Sequence, residues 1–122
     1  MTNFLKETRD VLKAWGKAPS EVEWVGSSDG KYAISWQEFK AIANVEYDSG
    51  FGGQEIVMDI VIVGSDWWLS RSEYDGSEGW TLHTKPVKEE GAQSFLFVKD
   101  PADACWVNIE EANRPGGKYA DL

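Results

Sequence analysis

The stretch EIVMDIVIVGSDWWLSRSEYDGSEGWTLHTK, residues 55–85, decides the fold. Apolar residues recur in it with the period of two that is typical of a strand, and two clusters of turn residues interrupt it. The first segment is mostly apolar on both faces, so we expect it in the centre of a sheet. The pattern predicts three antiparallel strands: Glu55–Val63, Trp67–Tyr74 and Trp80–Lys85.

Before this stretch, residues 3–15 have apolar positions at helical spacing, with Asn3 as the cap and Gly16 as the terminator. Residues 21–35 fit a hairpin that turns at Asp29-Gly30, because glycine accepts a positive φ. Its predicted inward side chains are Val22, Trp24, Tyr32 and Ile34.

A second helix is predicted to begin at Ser35, where Ser35 and Glu38 have the spacing of a capping box. Its apolar stripe includes Phe39, Ala43 and Tyr47, so we expect it to end near Asp48. The sequence thus predicts an α+β fold in the order α-β-β-α-β-β-β. An antiparallel meander of about five strands carries two helices.

After Pro86 the pattern weakens, and we expect an irregular C-terminal extension over residues 87–122, beside an α+β domain over residues 1–86. Within the extension, Phe95–Val98 is a short apolar run. Pro101 is predicted to start a small helix that carries Cys105, Trp106 and Ile109.

Charge is distributed unevenly along the chain, whose formal net charge is −9. Between Lys40 and Lys85 there is one basic residue, Arg71, against eight acids. Such a segment attracts basic partners and repels acidic ones. We therefore expect a contact surface formed by acids and aromatic anchors of this segment: Asp66, Trp68, Glu73, Tyr74, Asp75 and Glu78, with Asp48 and Phe51 next to them.

Several other functions are disfavoured by the sequence. An acidic chain lacks the clustered cations that direct binding to nucleic acid or an anionic membrane requires. No catalytic motif, metal-ligand spacing or cofactor motif stands out, so we expect a non-enzymatic protein without a cofactor. We interpret His83 as a residue with a structural role and expect Cys105 to be a small, buried hydrophobic residue. One cysteine forms no internal disulfide, which favours the cytoplasm.

Two segments resemble a group of short hypothetical proteins of bacteriophages and prophages. One runs from Phe39 to Gly53, and the other from Val61 to Trp80 contains the motif Tyr-Asp-Gly-Ser-Glu of residues 74–78. Gly79 departs from the group, in which a bulkier residue is expected. The resemblance implies a host-directed role, because small acidic phage proteins often bind a host protein.

On this basis we expect a protein that binds and inhibits a basic host protein. The resemblance points to a CRISPR-type or other nucleic-acid-handling defence factor, whose cationic groove an acidic face would block. Two alternatives remain open. One is a module that binds a sugar or nucleotide through Trp67 or Trp68, since neighbouring strand residues point to opposite faces and both cannot enter one core. The other is a structural protein that self-associates through the same aromatic surface.

Overall fold

The computed structural model describes residues 1–50 and 52–114. The chain divides into two compact units, Met1–Pro86 and Val87–Leu122. Each unit is described separately below. In the first unit, helices and an antiparallel sheet form the α+β arrangement that the sequence predicts.

The first unit begins with a short strand, β1 (Thr2–Asn3), and helix α1 (Phe4–Ala14). A 3-10 turn, Pro19–Glu21, leads into β2 (Trp24–Ser27), β3 (Ala33–Ile34) and helix α2 (Trp36–Ala43). Four strands follow in chain order: β4 (Glu46–Tyr47), β5 (Ile60–Val63), β6 (Trp67–Tyr74) and β7 (Ser77–Thr84).

The main sheet has five strands in the order β3-β2-β5-β6-β7, and all neighbours are antiparallel. The central position of β5 confirms the prediction from its two apolar faces. A separate pair joins β1 to β4, with Thr2 opposite Tyr47. This pairing explains why α2 ends at Ala43, earlier than predicted, since Tyr47 belongs to a strand.

The core lies between the two helices and one face of the sheet. Its buried side chains come from α1, α2 and alternate positions of the strands: Phe4, Leu12, Val25, Phe39, Ala43, Tyr47, Ile62, Trp67 and Leu69. The capping box of Ser35 and Glu38 is present as predicted, with both hydrogen bonds at 3.1 Å. It fixes the start of α2 and so directs Phe39 toward the sheet.

Four strand predictions need correction. The last strand was expected over Trp80–Lys85, but β7 begins at Ser77 and ends at Thr84, because Ser77 pairs with Tyr74 and Glu78 with Glu73. Tyr32 is exposed, and the inward positions of β2 are Val25 and Ser27, because Val25 lies opposite both Ile34 and Ile62. Residues 55–59 are outside β5. Backbone groups there bond to loops and side chains: the Glu55 amide donates to the Glu78 carboxylate, and the Asp59 carbonyl accepts from Ser28.

The second unit contains one described helix, α3 (Ile109–Asn113), which Asn108 and Glu111 cap. The predicted helix from Pro101 is therefore displaced, and Cys105 and Trp106 precede it. Cys105 is exposed rather than buried. The Asn113 side chain bonds to backbone groups of Leu96 and Phe97, which holds the apolar run beside the helix.

Candidate functional site

Arg71 on β6 is the organising residue of the first unit. It points to the helix-covered face, and its side chain has no exposed surface. Its Nη1 donates to Glu7 at 3.0 Å, while Nη2 donates to Tyr47 Oη at 3.0 Å and to Glu78 at 3.1 Å. Two carboxylates and a phenol thus surround the one cation of residues 41–84.

Aromatic rings complete this environment. The Arg71 guanidinium carbon lies 4.9 Å from the ring centroid of Trp80, 5.1 Å from that of Phe4 and 5.7 Å from that of Tyr47. Such distances allow cation–π attraction, which is stronger where water is excluded. The arginine is therefore committed to the interior and adds no positive charge to the surface.

The protonation of this cluster is fixed by its surroundings. Burial first, and the hydrogen bond to Glu7 second, raise the pKa of Tyr47 to about 12. Burial alone would lower the pKa of Arg71, but the bond with Tyr47, the charge of Glu7 and the bond with Glu78 raise it above its usual value. At neutral pH the guanidinium is charged and the phenol is neutral, so the cluster serves as a structural anchor.

Glu78 does not belong to the exposed surface that the sequence predicted. Its side chain is wholly buried, because one oxygen accepts from Arg71 and the other accepts from the Glu55 amide at 2.6 Å. A signal for this existed in the sequence. Arg71 alternates with Trp67 and Leu69, and Glu78 alternates with Trp80 and Leu82, so both charges share a strand face with core residues.

The Glu78 backbone also ties a loop to the tip of the β6–β7 hairpin, since its amide donates to the Ser49 carbonyl at 2.9 Å. At that tip Asp75 and Gly76 have φ values of 53° and 83°, as a tight hairpin turn requires. Ser49, which follows Asp48, and Glu55 are thereby joined to Glu78, close to the tip of this hairpin. Phe51, which the sequence predicted as a neighbour of this surface, lies outside the described residues.

In an antiparallel sheet, alternate turns fall at the same end. The β2–β3 turn, the residue before β5 and the β6–β7 turn therefore share one end of this sheet, together with the loop tied to Glu78. We call this the acidic end. It is defined by six exposed carboxylates: Asp29, Asp48, Glu55, Asp59, Glu73 and Asp75.

Within residues 1–50 and 52–114, no lysine or arginine forms an ion pair with any carboxylate of the acidic end. Local backbone amides hold several of them in place. Asp48 accepts from Gly50 at 3.0 Å, Glu55 accepts from Asp48 at 2.7 Å, and Asp29 accepts from Lys31 at 3.0 Å. Bonds with Ser27 and Lys31 lower the pKa of Asp29. These hydrogen bonds fix the positions of Asp29, Asp48 and Glu55 on the surface.

Two predicted contact residues lie elsewhere. Asp66 precedes β6, and Trp68 is near its start, whereas Glu73 and Tyr74 end it. β6 has eight residues, so its ends are about 23 Å apart at about 3.3 Å per residue. The end that contains Asp66 also contains two lysines. The backbone amide of Lys85 donates to the Asp66 carbonyl, and the Nζ of Lys17 lies 5.6 Å from the Trp67 ring centroid. The predicted patch is therefore split in two.

The structure brings Asp48, Glu73 and Asp75 together, with Tyr74 beside them and 86% exposed. Sequence reasoning missed three members of the acidic end, Asp29, Glu55 and Asp59. The signal that could have found them is topological: turn residues of an antiparallel sheet alternate between its ends.

The tryptophan pair on β6 divides as predicted, with Trp67 buried and Trp68 39% exposed. Trp68 stacks on His83 of β7, with ring centroids 5.1 Å apart. Ser70 Oγ lies 2.8 Å from His83 Nε2 and holds the imidazole against the sheet. Part of the Trp68 indole thus remains exposed on the face of the sheet opposite the core.

Among the described residues, no group of three or more histidine, cysteine, aspartate or glutamate side chains is placed to hold a metal ion. Over the same residues, no helix combines the length and hydrophobicity that crossing a bilayer requires. No protein-family model, curated protein or solved structure matches this chain.

Proposed function

We propose that this chain is a non-enzymatic binding protein whose acidic end occupies a cationic surface of a basic partner protein. One observation carries the proposal. Six exposed carboxylates gather at one end of the sheet, and among the described residues none of them forms an ion pair, although Lys31 lies in the same turn as Asp29; the only cation of residues 41–84 is buried. Exposed like charges at one end repel each other, and a cationic partner would relieve that repulsion.

The charge density of the acidic end is suited to a partner protein whose groove binds the phosphates of a nucleic acid. Three inter-strand spacings separate the β2–β3 turn from the β6–β7 turn, which is about 14 Å at about 4.8 Å each. Duplex DNA carries about eight phosphate charges over that length. Six carboxylates are of the same order, so a basic nucleic-acid groove is a suitable partner surface. Tyr74 would serve as an aromatic anchor in it.

The resemblance to phage and prophage proteins extends the proposal to a nucleic-acid-handling defence factor of a bacterial host. Inhibition would follow from occlusion, because the acidic end and a nucleic acid would compete for the same cations. No chemical step is required of this chain.

The test uses two variants with equal changes in net charge. The first, Asp59→Asn, Glu73→Gln and Asp75→Asn, neutralises the acidic end, and asparagine at position 75 keeps the tolerance for a positive φ. The control, Glu21→Gln, Glu23→Gln and Asp66→Asn, makes the same change at the opposite end. Tagged proteins capture partners from bacterial lysate, and mass spectrometry quantifies them.

We expect a cationic partner to be retained by the wild type and the control and lost by the acidic-end variant. That partner should also release its nucleic acid when wild-type protein is added. Equal recovery with both variants would contradict the proposal, because net charge alone, or another surface, would then explain the capture.

A second candidate is favoured by the exposed part of the Trp68 indole, which His83 holds in place by stacking. An exposed aromatic ring can serve as a platform on which a sugar or a nucleobase packs. Fluorescence titration with glycans and nucleotides tests it, with Trp68→Phe as the variant and Trp15→Phe as the exposed control. A saturable shift that only Trp68→Phe abolishes would support this function. The buried Trp67 can no longer serve in it.

A further inference from the structure

A second feature of the first unit is an apolar groove beside the β2–β3 hairpin. Its volume is about 340 Å³, at the lower limit of pockets that hold small ligands. Apolar side chains from β2, β3, β5 and the segment before β5 form its walls, and two polar residues stand at one end. The main lining residues are Val25, Ile34, Val57, Ile60, Ser27 and Asp59.

Large apolar side chains are left in water around this groove. Val57 is 62% exposed and Tyr32, which also lines the groove, is 77% exposed. Exposed apolar surface next to a concave site is typical of binding surfaces rather than of solvated loops. A partner that covers these side chains would therefore gain binding free energy from the burial of apolar surface.

Charge decides which partner suits the groove. Asp59 belongs both to its lining and to the acidic end, and Asp29 lies next to it, since its carboxylate accepts from Ser27 Oγ at 2.6 Å. A second copy of this chain would bring another acidic end to the same place, which Coulomb repulsion disfavours. A side chain flanked by cations would meet attraction instead.

We infer that the groove receives one large apolar side chain of the cationic partner, at a position flanked by lysine or arginine residues that face Asp59 and Asp29. This inference rests on the proposed function and specifies the partner's chemistry. Hot spots of protein interfaces commonly consist of such an anchor in a pocket with charged neighbours at the rim. The acidic end attracts basic segments of the partner in general, and the groove selects those segments that carry a large apolar side chain.

The test compares two fluorescein-labelled lysine heptapeptides, one with a central leucine and one with a central serine, by fluorescence anisotropy at low ionic strength. The wild type should bind the leucine peptide about tenfold or more tightly than the serine peptide, as expected for burial of one large apolar side chain. Val57→Asn, which makes the wall polar, and Val57→Phe, which places a larger ring at the exposed wall of the groove, should each reduce that ratio to about one.

Val45→Asn is the matched control, because Val45 is exposed in the same unit and does not line the groove; the ratio should be unchanged. The acidic-end variant should weaken both peptides and leave the ratio as it is. Circular dichroism shows whether each groove variant is folded. Two variants are used so that the test can still be made if one of them misfolds.

If both peptides bind the wild type equally, the groove inference is wrong while the proposed function stands. If neither peptide binds, the proposed function and the inference fall together. A dimer in sedimentation analysis that Val57→Asn dissociates would overturn the inference in favour of a second copy. An uncharged leucine peptide that binds as tightly as the lysine peptide would overturn the role of the flanking charges.

Discussion

Arg71 and Glu78 form an ion pair across β6 and β7 whose two side chains have no exposed surface, with 3.1 Å between Nη2 and Oε1. The pair connects the core to the acidic end, because the second oxygen of Glu78 holds the Glu55 amide. A buried pair is rarely a large net gain over apolar packing, but it is costly to break. Its role here is to fix the loop of Asp48 and Glu55 against the β6–β7 hairpin.

Glu78→Gln should therefore lower the free energy of unfolding by about 3 kcal/mol, since it leaves the buried guanidinium short of one negative partner. Glu73→Gln is the control, because Glu73 lies directly opposite Glu78 in the register but is exposed. Its effect should stay within about 0.5 kcal/mol. Urea unfolding followed by tryptophan fluorescence measures both, and similar values for the two variants would contradict the structural role of the pair.

Stability should also depend on Tyr47 at alkaline pH. The pKa of its phenol rises from 10.0 to about 12 in the folded chain. A group with a raised folded pKa stabilises fully below its unfolded pKa, and its contribution disappears as pH rises through the folded pKa. The free energy of unfolding should thus fall between pH 10 and about pH 12.

Tyr47→Phe should remove that part of the pH dependence. The ultraviolet difference titration of wild type against Tyr47→Phe should show phenolate formation with a midpoint near 12. Tyr74→Phe, at an exposed position, is the control and should leave this late transition in place. A Tyr47 midpoint equal to that of a free tyrosine would mean that the phenol is accessible to water.

The proposed binding mode predicts a steep dependence on ionic strength. Exposed charges are screened beyond about 8 Å at physiological salt and beyond about 3 Å at 1 M. The affinity for the captured partner should fall at least about tenfold between about 0.05 M and 0.5 M salt. The acidic-end variant should show a shallower slope than the control variant. A binding constant that is unchanged over this range would exclude occlusion by charge.

The cap of α2 offers a stability prediction that concerns the fold alone. Ser35→Ala removes the acceptor for the Glu38 amide, so it should cost about 1 kcal/mol of unfolding free energy. Ser65→Ala is the control, because the Ser65 hydroxyl is exposed and makes only a long contact of 3.5 Å. Equal effects of the two substitutions in thermal unfolding would show that the cap adds nothing.

Local patterns predicted the elements that depend on their own residues. The bounds of β6 agree with the prediction, because its apolar alternation and both flanking turns lie within the strand's own neighbourhood. Likewise, the start of α2 follows from the capping box of Ser35 and Glu38. Predictions failed where a distant segment intervened. The helical pattern continues to Tyr47, but pairing with Thr2 makes that residue part of a strand.

The candidate site was predicted only in part for a similar reason. Counting charges along the chain identified the acidic segment, but it treated Arg71 and Glu78 as surface groups. The ends of the sheet depend on strand order, which the sequence does not state directly. Asp66 and Asp75 are nine positions apart in the chain, yet they fall at opposite ends of β6.

Substitutions at two glycines, Gly64 and Gly79, test how tightly Trp67 of β6 is packed. A Cβ at Gly64 would lie 2.2 Å from the indole of buried Trp67, so Gly64→Ala forces that ring or the turn to move. We expect a loss of about 1–3 kcal/mol in the free energy of unfolding. Gly79→Ala is the control, since a Cβ there meets no atom within 4 Å. It should be neutral or stabilise by up to about 1 kcal/mol, because alanine restricts the unfolded chain. If Gly64→Ala were as well tolerated as Gly79→Ala in urea unfolding, Trp67 would not fill the corner between β5 and β6.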